Sequence, residues 1–316
     1  MITFGMMLCC LTANAQLSEE KIVNYTRYLL YVPQQKPPSG KYPLLLFLHG
    51  SAERGSDLNL LKRTGPFIFA DTAKNFPFIL VAPQCDPDRD WDTQNLLTLI
   101  DSLESRLDID KSKIYVTGYS MGGFGTWKLA QAAPLRFAAI APICGGGDSS
   151  RICAIRNMSV WAFHGEKDNA VPYVESERMV KGLRSLESDV KFTLYPDLEH
   201  DSWSITYANP ELYHWLLSKK RVDSIQIDPS LFKNYTGTYK YSDNENVIIS
   251  LSHDSLFEQS TVSGNNLLLI PFKKNKFRIP GGFSGDGEVY FETDKAGKVT
   301  GLRIGPCDHT LCGKIK

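Results

Sequence analysis

The stretch Lys113-Ile-Tyr-Val-Thr-Gly-Tyr-Ser-Met-Gly-Gly-Phe-Gly-Thr-Trp-Lys-Leu-Ala130 decides the fold. Ile114, Tyr115, Val116 and Thr117 are β-branched or aromatic and read as a buried strand. Trp127, Leu129 and Ala130 continue at helical spacing. Between strand and helix, Gly118, Gly122 and Gly123 surround Ser120 in the pattern Gly-x-Ser-x-Gly. A serine at the apex of so sharp a turn needs neighbours without a Cβ, so that helix and strand can pass closely. The turn lifts the hydroxyl out of the sheet. The helix start then aims free N–H groups and the positive dipole end at the space above it, where the N–H of Met121 is the natural donor to an oxyanion.

Outward from this turn the chain alternates strand and helix. Ile22 to Val32 reads as an edge-side strand, and Tyr42 to Leu48 as a continuous apolar strand buried on both faces. Phe78 to Pro83, Phe137 to Ile143, Val160 to Phe163 and Lys191 to Tyr195 follow as further strands. Leu96 to Leu107 has helical spacing, and a closing helix starts near Pro210 with His214 on its surface. The repetition predicts a doubly wound, mostly parallel α/β sheet. In such a sheet the loops after the strand ends share one edge, where ligands bind. Ser120, Asp168 and His200 all follow strands and should meet there.

Their chemistry is complementary. A serine hydroxyl becomes nucleophilic when a base takes its proton, the task of His200, while Asp168 fixes the imidazole tautomer. Glu166, Asp148, Asp197 and Asp201 compete for the acid position, which Asp168 takes by its place after the penultimate strand. His164 and His49 directly follow strands and read as structural. The His49-Gly50 turn offers the backbone N–H of Ser51, or of Ala52, as second oxyanion donor. Glu53, Arg54 and Asp57 line the entrance or pair with one another. Trp91, Glu53 and Trp203 are candidates for the substrate cleft, Trp91 equally as a packing aromatic.

The 316 residues carry 35 Lys+Arg and 35 Asp+Glu, so no global field draws the chain to nucleic acid or to an anionic membrane. Residues 1–15 read as a leader with an apolar run and a Thr12-Ala-Asn-Ala15 cleavage pattern, or else as a buried N-terminal strand; the run is too short to span a bilayer. Beyond it, Cys144/Cys153 and Cys307/Cys312 are near pairs that would bridge in an oxidising compartment, leaving Cys85 free. No cysteine or histidine cluster has zinc spacing, so neither metal nor organic cofactor is expected. After the linker 221–227, residues 228–316 hold roughly eight short strands between Gly, Asp and Asn turns, predicting a small antiparallel barrel or sandwich.

Together the stretches Leu48-His-Gly-Ser-Ala-Glu-Arg-Gly55, Gly118-Tyr-Ser-Met-Gly-Gly123, Trp161-Ala-Phe-His-Gly-Glu-Lys-Asp168, Val171-Pro172, Glu199-His-Asp-Ser-Trp203 and Tyr213-His-Trp-Leu-Leu217 resemble the bacterial phospholipase/carboxylesterase and dienelactone-hydrolase-like group of α/β-hydrolases. The resemblance extends toward feruloyl and polyhydroxybutyrate-type esterases, and the order Ser, Asp, His agrees with it. One departure is Glu199, where such enzymes usually carry Gly before the histidine. Leu231-Phe-Lys-Asn-Tyr-Thr-Gly-Thr-Tyr239 resembles the entry of a lipocalin-like C-terminal module. With the leader-like residues 1–15, the expectation is a secreted or periplasmic serine esterase (catalytic domain 16–220), and the resemblance implies a small-molecule or polysaccharide-linked ester, such as a feruloyl or acetyl group. The alternatives are a prolyl-oligopeptidase-like serine peptidase and a carbohydrate- or lipid-binding accessory protein that uses the barrel.

Overall fold

The computed structural model describes residues 16–21, 27–72, 76–221, 225, 227–264, 266–282, 285–305 and 312–315. The expected leader, 1–15, and much of the expected linker lie outside them. The apolar runs form one eight-stranded sheet: β1 (Gln16–Lys21), β2 (Arg27–Val32), β3 (Tyr42–Leu48), β4 (Ile79–Pro83), β5 (Ile109–Tyr119), β6 (Ala139–Ile143), β7 (Ser159–Gly165) and β8 (Val190–Tyr195). Their order is β1-β2-β4-β3-β5-β6-β7-β8. β3 to β8 run parallel, while β2 is antiparallel to β4 and β1 to β2. The expected edge strand is therefore covered by β1, and Tyr28 to Tyr31 are buried without alternation.

Helices cover both faces: α1 (Asn59–Lys62), α2 (Phe67–Thr72), α3 (Thr93–Arg106), α4 (Met121–Ala132), α5 (Val174–Ser185), α6 (Trp203–Ala208) and α7 (Pro210–Ser218). Strand periodicity sends Leu44, Leu46 and Leu48 of β3 into the core with α3, α4 and α5. Leu45 and Phe47 enter the opposite core with α1, α2, α6 and α7. Asp92 caps α3, accepting from the Asn95 N–H at 2.8 Å, and Asn209 caps α7 ahead of Pro210. The extra helix α6 begins three residues after His200, so the chain end of this unit is two short helices rather than one.

The C-terminal strands β9 (Gly237–Lys240), β10 (Asn246–Ser252), β11 (Ser255–Ser260), β12 (Asn266–Lys273), β13 (Lys276–Gly282), β14 (Gly285–Thr293), β15 (Val299–Ile304) and β16 (Cys312–Lys314) close into an antiparallel barrel. Its interior is aromatic: Tyr235, Phe277 and Phe291 pack ring on ring, and the Tyr239 hydroxyl donates to the Tyr235 carbonyl at 2.6 Å. Asn157 ties barrel to sheet domain by donating to Glu288 at 3.0 Å and to the Tyr290 hydroxyl at 3.1 Å.

The expected bridge between Cys144 and Cys153 is not formed, and Cys307 of the other expected pair lies outside the described residues. Cys144 is a free thiol buried after β6, whereas Cys153 is disulfide-bonded. Cys144 sits at φ 40° beneath the nucleophile turn, so the nine-residue spacing does not bring its sulfur to Cys153.

Helix and sheet meet their tightest constraint at the start of α4. A Cβ at Gly122 would overlap the Leu48 carbonyl, and one at Gly123 the Ile143 carbonyl. Gly122→Ala must push α4 away from β3, with an expected cost of about 3 kcal/mol or more. A fall in the urea midpoint at unchanged slope will show it.

Candidate active site

Ser120 lies between β5 and α4 with φ 53° and ψ −121°, a conformation a residue with a Cβ adopts only when its surroundings enforce it. The surroundings are the two backbone approaches at Gly122 and Gly123, together with bonds from the Ser120 N–H to the Ile143 carbonyl at 3.0 Å and to Cys144 Sγ at 3.2 Å. Ser120 Oγ is 3.0 Å from His200 Nε2, and His200 Nδ1 is 2.7 Å from Asp168 Oδ2. A carboxylate only accepts, so Nδ1 carries the proton and donates to Asp168. Nε2 is left as acceptor for the serine hydroxyl.

Asp168 is held as firmly as the imidazole it faces. Its Oδ1 accepts from the N–H groups of Ala170 at 2.9 Å and Val171 at 2.8 Å. Burial pushes its carboxyl up, but the hydrogen bonds from His200, Val171 and Ala170 outweigh burial and hold it below its ordinary value. His200 keeps about a quarter of its side chain exposed, while that of Asp168 is fully covered. Trp203 packs edge-on against His200, with ring centres 5.3 Å apart, and stacks on Tyr119 at 4.4 Å. Glu199 causes no departure in the backbone: it has no positive φ, so its loop does not require glycine.

The other two strand-end histidines are structural. His164 places Nε2 2.9 Å from the Val171 carbonyl and 3.2 Å from Asp168 Oδ2, and Nδ1 2.8 Å from Ser176 Oγ. It buttresses the acid loop. His49 receives the Cys85 N–H on Nε2 at 3.0 Å and donates from Nδ1 to the Gly50 carbonyl at 2.6 Å. It therefore fastens the turn after β3 to the loop after β4. Ser51 to Glu53 form a single 3₁₀ turn after Gly50. The chain at Leu48 and His49 passes directly against Gly122, which brings the exposed Ser51 and Ala52 beside the start of α4. The first N–H groups of this turn have no acceptor within it.

The acids at the entrance divide. Arg54 pairs with Asp90, and Asp57 accepts from the Asn59 N–H. Glu53 turns toward His49, 4.0 Å away. Trp91 is only 5% exposed and packs against His49 and Gly125. It also separates two cavities, one of about 660 Å³ over Gln84 to Asn95 and one of about 580 Å³ along α4 and the loop after β6. Trp91 is thus a packing aromatic that also lines both cavities. Sequence reasoning missed Cys144, whose sulfur lies with a nitrogen of His200 and an oxygen of Asp168 within 4.8 Å of one another. Among the described residues, this group has the spacing of metal ligands. Burial pushes the Cys144 thiol up to about 12, so it is protonated and unreactive beneath the serine. The free cysteine directly after a strand and before three glycines was the only signal for it.

The family model described as "Dienelactone hydrolase family" matches residues 84–207. The chain is 28% identical over 198 residues to a bifunctional acetylxylan esterase/xylanase of Neocallimastix patriciarum, covering 59% of this chain and 27% of that one. It is 26% identical over 156 residues to a probable feruloyl esterase C of Aspergillus terreus, covering 48% and 57%. Among solved structures, a thermostable esterase aligns with TM-score 0.57 and 32% identity over 66% of this chain and 64% of that one. The feruloyl esterase module of Clostridium thermocellum shares the fold at TM-score 0.51 and 18% identity, over 69% and 93%. The chain thus spans less than two thirds of the length of both curated relatives.

Burial, opposed in part by the Gly50 carbonyl, lowers His49 to about 4. Its folded value lies below the unfolded one of about 6.5, so its contribution to stability is complete above pH 6.5 and is lost as pH falls toward 4. The loss amounts to about 3 kcal/mol at roughly 1.4 kcal/mol per pH unit. His49→Gln should flatten the fall of the urea midpoint between pH 6.5 and 4 by about one proton. Equal slopes in the two proteins would contradict this assignment.

Proposed function

We propose that this α/β-hydrolase, related to dienelactone-hydrolase and feruloyl-esterase family members, is a serine esterase that cleaves carboxylic esters through an acyl-enzyme. One observation carries the reading: the unbroken hydrogen-bond line from Ser120 Oγ through His200 to Asp168, at 3.0 and 2.7 Å. His200 Nε2 takes the serine proton as Oγ attacks the ester carbonyl, and the imidazolium that forms is stabilised by the Asp168 carboxylate. The oxyanion is received by the N–H of Met121, at the head of α4, and by that of Ser51 or Ala52. Collapse of the tetrahedral intermediate expels the alkoxide, to which His200 returns the proton. A water activated by the same base then releases the acid.

Serine is preferred to the nearby thiol because Cys144 is fully buried and protonated, whereas Ser120 is partly exposed and touches the base. The names of the relatives support an ester borne on plant polysaccharide, acetyl or feruloyl. The leader-like residues 1–15 and the disulfide at Cys153 support work in an oxidising, extracytoplasmic compartment. In this reading the catalytic unit ends near residue 220, and the barrel beyond the linker 221–227 is a separate module.

Hydrolysis of p-nitrophenyl esters from acetate to octanoate and of methyl ferulate tests the reading. Ser120→Ala should lower kcat about 10⁴-fold or more and Asp168→Asn by about 10⁴, the scale seen when one member of such a unit is removed. Cys144→Ala should stay within about tenfold of the parent, since it removes no reacting atom. Activity that survives in Ser120→Ala and vanishes in Cys144→Ala would transfer the nucleophile to sulfur.

A further inference from the structure

The cavity of about 580 Å³ along α4 opens beside Met121, the residue after the nucleophile, and passes Phe124 and Gly125 to reach Lys128. The loop after β6, through Gly146 and Asp148 to Arg151, forms its other side, and Trp91 closes one wall. Phe124 is 39% exposed, so an aromatic face stands open to this space. The apolar floor meets two cations at the far end. Lys128 reaches from α4 to the Trp91 carbonyl, 3.0 Å away, and Arg151 extends to the Gln131 carbonyl at 3.4 Å. Neither forms an ion pair with a carboxylate among the described residues.

The acids lining the same space are already satisfied. Asp90 is paired with Arg54, and Asp148 accepts from the N–H and hydroxyl of Ser150 at 2.9 and 2.6 Å. Asp148 also faces Arg151 and Arg178 electrostatically, so Lys128 is the cation of this lining that no carboxylate among the described residues balances, and it stands beyond an apolar, aromatic stretch. Lys128 follows Met121 by seven helical steps, about 10 Å along the axis. Helical side chains lean toward the N-terminus, which brings the ammonium closer to the serine than that span.

Resting on the esterase reading, we propose that this cavity is a subsite for an ester whose acyl or alcohol half carries a carboxylate within about 10 Å of the scissile carbonyl. The apolar body of that half lies on Phe124 and Trp91, and the carboxylate takes hydrogen bonds from Lys128 and Arg151. Charge-assisted bonds of this kind are the strong ones, and a flat aromatic face orients the group between them.

Two substrate pairs separate the halves. On the acyl side, p-nitrophenyl monoesters of dicarboxylic acids from glutaric to suberic are compared with p-nitrophenyl esters of fatty acids of equal length. On the alcohol side, 4-acetoxycinnamate is compared with its primary amide. The wild type should favour the anionic member in one pair, and the preference should shrink with added salt. The double variant Lys128→Gln/Arg151→Gln keeps hydrogen-bonding groups but removes both charges, and the ratio of anionic to neutral kcat/KM should fall about tenfold. An unchanged ratio in both pairs would overturn the subsite. If the wild type hydrolyses no ester of either charge, the esterase reading fails, and titration calorimetry decides the subsite independently. Suberic acid monoamide and 4-hydroxycinnamate should bind Ser120→Ala about tenfold more tightly than Ser120→Ala with both charges removed. Equal binding, or none, would refute it.

Discussion

The backbone contact between the end of β3 and the first turn of α4 is the constraint on which the site depends. At Gly122 the helix backbone lies against the carbonyls of Leu48 and His49, and at Gly123 against that of Ile143. α4 is thereby wedged between the ends of β3 and β6, directly over β5. That wedge leaves Ser120 no alternative to φ 53°, which stands its hydroxyl above the sheet edge. The same contact sets the position of the Ser51 turn, because the chain leaves Leu48 and His49 already touching α4. Ser120, the start of α4 and the Ser51 turn are thus positioned by one packing event and not by separate loops.

Burial then sorts three histidines with the same sequence context into different tasks. His49 is completely covered and neutral, and works as a hydrogen-bonded strut between two loops. His164 is also covered, and burial lowers it despite the Val171 carbonyl and Asp168 beside it; it braces the acid loop. His200 alone faces solvent in part, with one nitrogen fixed by Asp168 and the other open to Ser120. What sets His200 apart from the two struts is access for one nitrogen, since all three rings are well hydrogen-bonded.

The site edge also shows how the loops divide polar work. Trp91 fills the gap beside Gly125, and its loop supplies the Trp91 carbonyl to Lys128 and Asp90 to Arg54. Glu53, placed at the entrance by its position in the chain, turns into the protein beside Gly50. The barrel is held apart from this edge and meets the sheet domain through Asn157, Glu288 and Tyr290, near the opposite ends of β6 and β7. Burial raises the carboxyl of Glu288 at that junction, against the pull of the neighbouring Arg278 and Lys276.

By itself the sequence determined strands β2 to β8 and helices α3, α4 and α7 of the first domain, the Gly-x-Ser-x-Gly turn, the three residues Ser120, Asp168 and His200 that meet at the sheet edge, and the run of short strands that closes as a barrel. These were legible because they depend on local chemistry: apolar runs long enough for buried parallel strands, glycines where a helix must cross a strand, and polar residues directly after strand ends. Tertiary structure decided what depends on partners distant in the chain. It covered β2 with β1, separated Cys144 from Cys153 and set its sulfur under Ser120, turned Glu53 inward, and gathered Phe124, Lys128 and Arg151 around one cavity. Spacing along the chain says little about such outcomes, because side-chain direction and burial are set by the packing of elements tens of residues apart.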